Sequence, residues 1–199
     1  MESDASLESR RKLLHLVTEA TLKISSSLLA EFKDMIDRDC SEETYHQFLR
    51  TNPVFLDPLA RVASKQKLGL EFVTDFVVRR YDDKYLLVEI EKPQDRIFTQ
   101  ANGFSAQFSH ALGQILDFQA WVEENGAYAR SLMPEIASPR GLLVMGRKSD
   151  LSEAQRRKLH RLNVNLASVD VVTFDELHAS AVRLYENLYH ATEAPSGSV

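Results

Sequence analysis

The stretch TDFVVRRYDDKYLLVEIEKP, residues 74–93, restricts the fold more than any other part of the chain. Two runs rich in β-branched and aromatic residues, about 72–80 and 85–91, flank a polar turn at Tyr81–Lys84. A connection this short predicts an antiparallel hairpin. Pro93 cannot donate to a ladder and ends the second strand. Side chains alternate along a strand, so Glu89 and Glu91 project from one side while Val88 and Ile90 project from the other. With the turn centred near Asp82–Asp83, Asp75 falls opposite residue 89 or 90. Directly opposed Cβ atoms lie roughly 4.5–5.5 Å apart.

Three carboxylates at that spacing repel one another unless they are protonated or neutralised by a cation. Charge in a sheet interior needs solvent or a ligand. An all-oxygen set suits a hard divalent ion, Mg²⁺ first and Mn²⁺ second. Such clusters serve phosphodiester hydrolysis: the ion polarises the phosphate and activates water, and a nearby lysine, here Lys92, orients that water or stabilises charge. The competing reading is a polar hairpin edge with ordinary surface carboxylates. The apolar frame of YLLVEIEKP favours the first, since it buries the strand up to the acids.

The remaining chain predicts an α/β fold, a mixed central sheet flanked by helices. Leu14, Val17, Ala20, Ile24, Leu28 and Phe32 recur at helical spacing over about 6–37, as one helix or two broken near Ser25–Ser27. Ser41 starts a helix that runs to about Arg50 and stops before Asn52–Pro53. Residues 61–70 carry little pattern. Phe108, Leu112, Ile115, Phe118 and Val122 mark a helix over 105–124, closed by Asn125–Gly126. On it His110 and Gln114 share a face, with Gln107 and Asp117 nearby. GLLVMG (141–146) suits a buried strand, followed by a helix from Ser152, a strand at 169–174 and a last helix from Asp175 to about Tyr189. The division expected is a helical arm or cap over 1–40, a core over 41–189 and a disordered tail over 190–199.

Composition narrows the classes. The 199 residues are 44% hydrophobic, enough for one cored domain, and the net charge of −5 argues against passive coating of nucleic acid. A nuclease remains open, because its basic groups can be confined to one cleft; Arg79–Arg80, Arg147–Lys148 and the run Arg156–Lys158 with His160 and Arg161 are such groups. Cys40 is the single cysteine, so neither an intrachain disulfide nor a Cys-rich zinc site is available. No signal-like or membrane-spanning run is visible, and a cytoplasmic protein is expected.

TDFVV, LLVEIEKP, SHALGQILDFQAW and PRGLLVMGR, in this order and spacing, resemble the nuclease domain of the Shedu anti-phage defence proteins, part of the PD-(D/E)xK, restriction-endonuclease-like superfamily. FLRTNPVFL (48–56) resembles the helix and Asn-Pro turn before that core, and the resemblance covers about 42–178. It implies that Asp75 is the metal-binding Asp, Glu89 the first acid of (D/E)xK, and Gln114 the helix Gln supporting the site, with His110 one turn before it. The pattern would put lysine at 91, where this chain has Glu91 followed by Lys92. Some superfamily enzymes carry Glu there. A bulge at Pro93 is the other route by which Lys92 reaches the cleft. The resemblance implies a Mg²⁺-dependent DNA endonuclease that forms homo-oligomers, in a defence setting that can include a partner protein. Asp75, Glu89 and Glu91 would hold the metal, with Lys92, Gln114 and His110 assisting. Two other classes stay open: a catalytically silent module binding nucleic acid or protein, and an interaction domain built on the N-terminal helix.

Overall fold

The computed structural model describes residues 23–38, 40–59, 61–68 and 72–190. The expected helix over 6–22 and the tail over 191–199 lie outside the described residues. Five strands form one sheet in the order β1 (Arg61–Leu68), β2 (Phe72–Arg79), β3 (Tyr85–Ile90), β4 (Arg140–Val144) and β5 (Val169–Val172). The first three are antiparallel; β3–β4 and β4–β5 are parallel. The sheet is therefore mixed, with the hairpin at the junction between the two halves. β1 is an addition to the sequence reading. RVASKQKL lacks the apolar alternation that marks a half-buried strand, and it pairs with β2 alone at the sheet edge.

Helix α1 (Ser26–Asp37) begins where the Ser25 hydroxyl accepts the Leu28 N–H at 3.2 Å, so the serine cluster is a helix start. Its Leu29, Phe32 and Ile36 are buried at helical spacing. Phe32 stacks on Phe48 of α2 (Glu42–Thr51), with centroids 4.9 Å apart, and Tyr45 Oη donates to the Met35 carbonyl at 2.7 Å. The segment from Ile24 to Ile36 is thus a cap built into the core, not a projecting arm. With α6 (Phe174–His190) these helices cover the sheet face formed by Phe76, Val78, Val88 and Ile90.

The other face carries Val77, Tyr85 and Leu87, packed on α3 (Ala106–Glu124) and α4 (Gly126–Leu132). Asp75 and Glu89 share the parity of those residues and so belong to the α3 face. Asn125–Gly126 does end α3, but Gly126 opens α4 at once, a helix the sequence reading did not assign. Gly141 lets α3 press on β4: a Cβ there would stand 2.3 Å from the Ile115 side chain. Helix α5 (Glu153–Asn165), started by a Ser152–Gln155 capping box, covers the β5 side. No helix among the described residues is long and apolar enough to cross a membrane.

Candidate active site

The site forms where the hairpin comes apart. The β2–β3 ladder runs from Arg79↔Tyr85 to Phe76↔Val88 and stops there, which leaves Asp75 in register with Glu89 as the turn spacing predicts. Beyond that point the Ile90 N–H donates to the Asp75 carboxylate at 2.9 Å, in place of a ladder carbonyl. The Thr74 hydroxyl fills the gap behind, within 3.2 Å of both the Phe76 and Val88 carbonyls. β1 also loosens here, pairing Ser64↔Phe76 and Gln66↔Thr74 around Asp75. Splayed strands leave backbone groups that need partners, and side chains supply them.

The turn after β3 is fixed from two sides. Glu91 N–H donates to the Val144 carbonyl at 2.9 Å, and Gly146 N–H donates to the Lys92 carbonyl at 3.1 Å. Lys92 N–H in turn donates to Asp95 Oδ2 at 3.2 Å. Gly146 sits at φ +72°, and a Cβ there would come within 3.0 Å of the Asp95 carbonyl, so the position suits glycine alone. The strand ends at Ile90, and strict face alternation therefore does not govern Glu91 or Lys92. The Lys92 charge lowers the pKa of both Glu91 and Glu42, so it lies in reach of their fields.

Electrostatics follow from burial. Glu89 is 9% exposed, and desolvation, together with the Asp75 charge and a side-chain hydrogen bond to Asp75, pushes its pKa up to about 8. Half-buried Glu91 is pushed up to about 7 by desolvation and then by Glu42, Asp95 and Asp75. Glu42, on the first turn of α2, is raised by desolvation and by Asp75 and Asp95. The structure thus brings together Asp75, Glu89, Glu91 and Lys92, and adds Glu42 and Asp95. Neither addition was legible locally, because Glu42 reads as a first-turn acid and Asp95 as a loop residue.

His46 is a third residue the sequence did not reveal. Buried on α2, its ring stacks on Phe76 at 4.6 Å, and Nε2 lies 3.3 Å from the Asp75 carbonyl oxygen. It braces the strand at the residue that carries the carboxylate.

The helix pair is placed differently from expectation. His110 and Gln114 lie on the exposed side of α3 and make no hydrogen bond or ion pair with the acids among the described residues. Gln107 is the α3 residue that reaches the cluster, with Nε2 donating to Asp95 Oδ1 at 3.4 Å. Gln114 follows it by two helical turns, about 10 Å along the axis. The first turn of α3 abuts the acids, not the third.

A hard cation fits this donor set by its chemistry: buried carboxylates with raised proton affinity are carboxylates short of positive charge. Among the described residues, however, no three His, Cys, Asp or Glu side chains stand ready to enclose an ion.

The chain thus presents a mixed sheet whose central hairpin opens onto paired carboxylates. The chain belongs to the family of the Shedu protein SduA, C-terminal, which matches residues 39–178. Two solved structures share part of the arrangement, each at 13% identity and a TM-score of 0.40. One is an EndoMS complex with double-stranded DNA, covering 67% of this chain and 44% of its own. The other is a repair endonuclease from Pyrococcus abyssi, covering 68% and 47%. The chain spans less than half the length of either. No curated protein matches it.

Proposed function

We propose that this chain is a Mg²⁺-dependent deoxyribonuclease of anti-phage defence, acting as a homo-oligomer. One observation carries the reading: Asp75 and Glu89, two carboxyls in hydrogen-bond contact, lie at the opened end of a buried hairpin. A polar surface edge would leave such groups solvated at ordinary pKa. Asp75 and Glu89 would hold Mg²⁺, or Mn²⁺ in its place, with Glu91 as the third carboxylate. The ion, when bound, supplies a polarised phosphoryl oxygen and a water of lowered pKa.

The chain's own groups do the rest. Lys92 stabilises charge developing on the phosphoryl group. Glu42 and Asp95 deepen the negative field that attracts the cation, and Gln107 steadies Asp95. Gln114 and His110 remain open to a DNA strand running along α3.

The second reading, a silent nuclease-like module that binds nucleic acid or a partner defence protein, is favoured by the lack of a three-group metal geometry among the described residues. Incubation with supercoiled, linear and single-stranded DNA, in Mg²⁺ and in EDTA, separates the two. Mg²⁺-dependent scission of at least one form supports the nuclease; no scission with DNA retained supports the silent module.

A further inference from the structure

Helix α5 carries the basic run Arg156–Lys158 with His160 and Arg161, which the proposed function leaves unused. At 3.6 residues per turn, Lys158 and Arg161 share one flank of the helix, while Arg156 and His160 share the other. The second flank is already answered. Arg156 and His160 line a recess with Lys148, whose ammonium pairs with Glu176, and Arg156 Nε donates to the Leu151 carbonyl at 3.0 Å. The first flank is not. Arg161 is exposed, and its guanidinium makes no hydrogen bond or ion pair among the described residues. Lys158 has no carboxylate partner among them either. Glu153, the one acid of α5, is taken by Arg157.

Lys158 is also held in place. Its Nζ donates to the Asn102 carbonyl at 2.6 Å and stands 4.6 Å from the centroid of the Phe104 ring. Ring and carbonyl fix the ammonium before any ligand arrives, so binding costs little side-chain entropy. An ammonium has three donors, and Asn102 uses one. Phe104, 39% exposed, stacks on Phe108 in the first turn of α3 at 4.8 Å, and Gln107 beside it reaches Asp95 of the acid cluster. One aromatic pair and one helical turn thus connect Lys158 to the acids.

Resting on the nuclease reading above, we infer that the Lys158–Arg161 flank of α5 grips the DNA backbone beside the bond that is cut. The two residues stand about 4.5 Å apart along the helix axis. That spacing suits successive phosphates, one per ~3.4 Å of duplex axis on each strand. Contacts to phosphate carry no sequence information, so this surface sets affinity and register and not the choice of sequence. It also explains how a chain of net charge −5 holds a polyanion against its own acids: on this flank the cations are left without internal partners.

The test is fluorescence anisotropy of the full chain with labelled duplexes of several sequences in EDTA, repeated from about 50 to 200 mM KCl. The KM for cleavage in Mg²⁺ reads the same contacts should binding in EDTA be weak. Lys158→Ala and Arg161→Ala each weaken binding to every sequence alike, and each flattens the slope of log affinity against log salt by about 0.9, one phosphate contact apiece. Arg50→Ala, which removes an exposed cation of α2 that has no ion pair among the described residues, leaves affinity and slope unchanged. Variants of α5 indistinguishable from wild type while DNA is still bound or cut overturn the surface alone, as does an equal loss in Arg50→Ala. Polyglutamate that displaces the duplex as well as unlabelled DNA of equal charge also overturns it, and marks an acidic protein as the partner. If wild type neither binds nor cuts any DNA, the nuclease reading falls and the surface with it. Binding that the α5 variants lose, without cutting by wild type, keeps the surface and assigns the chain to the silent module.

Discussion

The Asp75 carboxylate accepts the Ile90 N–H at 2.9 Å, so one side chain both closes the frayed hairpin and lines the acidic site. The two duties separate by substitution. Asp75→Asn keeps an acceptor for Ile90 and removes the repulsion of Glu89; Asp75→Ala leaves the N–H unpaired. In EDTA the Asn variant is expected to be more stable than the Ala variant by about 1–3 kcal/mol, read by urea denaturation. Equal stabilities would mean that the bond contributes nothing to the fold. On the proposed function, both variants should lose Mg²⁺ binding.

Burial of Glu89 sets a pH dependence. Its folded pKa, about 8, lies above the ordinary 4.5, so between those values the folded state binds more protons than the unfolded one. Stability then falls as pH rises through that window. Glu91, at about 7, adds the same sign between 4.5 and 7. In EDTA the Tm should decline from pH 5 to pH 8, and Glu89→Gln should flatten the decline. On the proposed function, Mg²⁺ held by the deprotonated acids should raise Tm more at pH 8 than at pH 5. A Tm that rises across this range in EDTA contradicts the buried-acid assignment.

Glu91 and Lys92 exchange the order that the family pattern implies, and they differ in their expected roles. Glu91→Gln removes a negative charge from a hard-ion site and should weaken Mg²⁺ binding in calorimetric titration. Lys92→Ala removes a competing cation, so Mg²⁺ affinity should hold or improve. If Lys92 turns into the cleft, its loss should slow cleavage roughly 10²-fold or more. Cleavage by Lys92→Ala at the wild-type rate would leave Glu91 as the working residue of the pair.

Gly141 is a packing test independent of the site. Alanine there meets Ile115 at 2.3 Å and Val169 at 3.1 Å, and overpacking of this kind costs about 1–3 kcal/mol. Gly141→Ala should lower the denaturation midpoint, and pairing it with Ile115→Val should recover part of the loss. Full stability of the single variant would show that α3 is free to move off β4.

The hairpin was legible because its turn is short: the polar turn between two apolar runs left Asp75 opposite residue 89 or 90, and the ladder's register puts it with Glu89. The helices were legible from their apolar stripes and serine caps. β1 was not, since an edge strand as polar as RVASKQKL carries no alternation to read. Helix α4 was hidden by Asn125–Gly126, a pair that reads as an ending although a second helix begins on it. Within the site, the turn spacing placed Asp75 opposite residue 89 or 90, whereas alternation could not fix Glu91, which lies beyond the end of β3. Glu42, His46 and Asp95 reach the same place through tertiary packing, which no local pattern encodes. The helical face of His110 and Gln114 was read correctly as polar, but its height along α3 relative to the acids is a three-dimensional quantity.

The central claim is that the Asp75–Glu89 pair serves Mg²⁺-dependent scission of DNA. Supercoiled plasmid incubated with wild type and with Glu89→Gln, each verified as folded and each assayed in Mg²⁺ and in EDTA, tests it most directly. The account predicts nicked or linear product from wild type in Mg²⁺ alone, and none from the variant. Equal cutting by both proteins, or cutting by wild type that persists in EDTA, would contradict it.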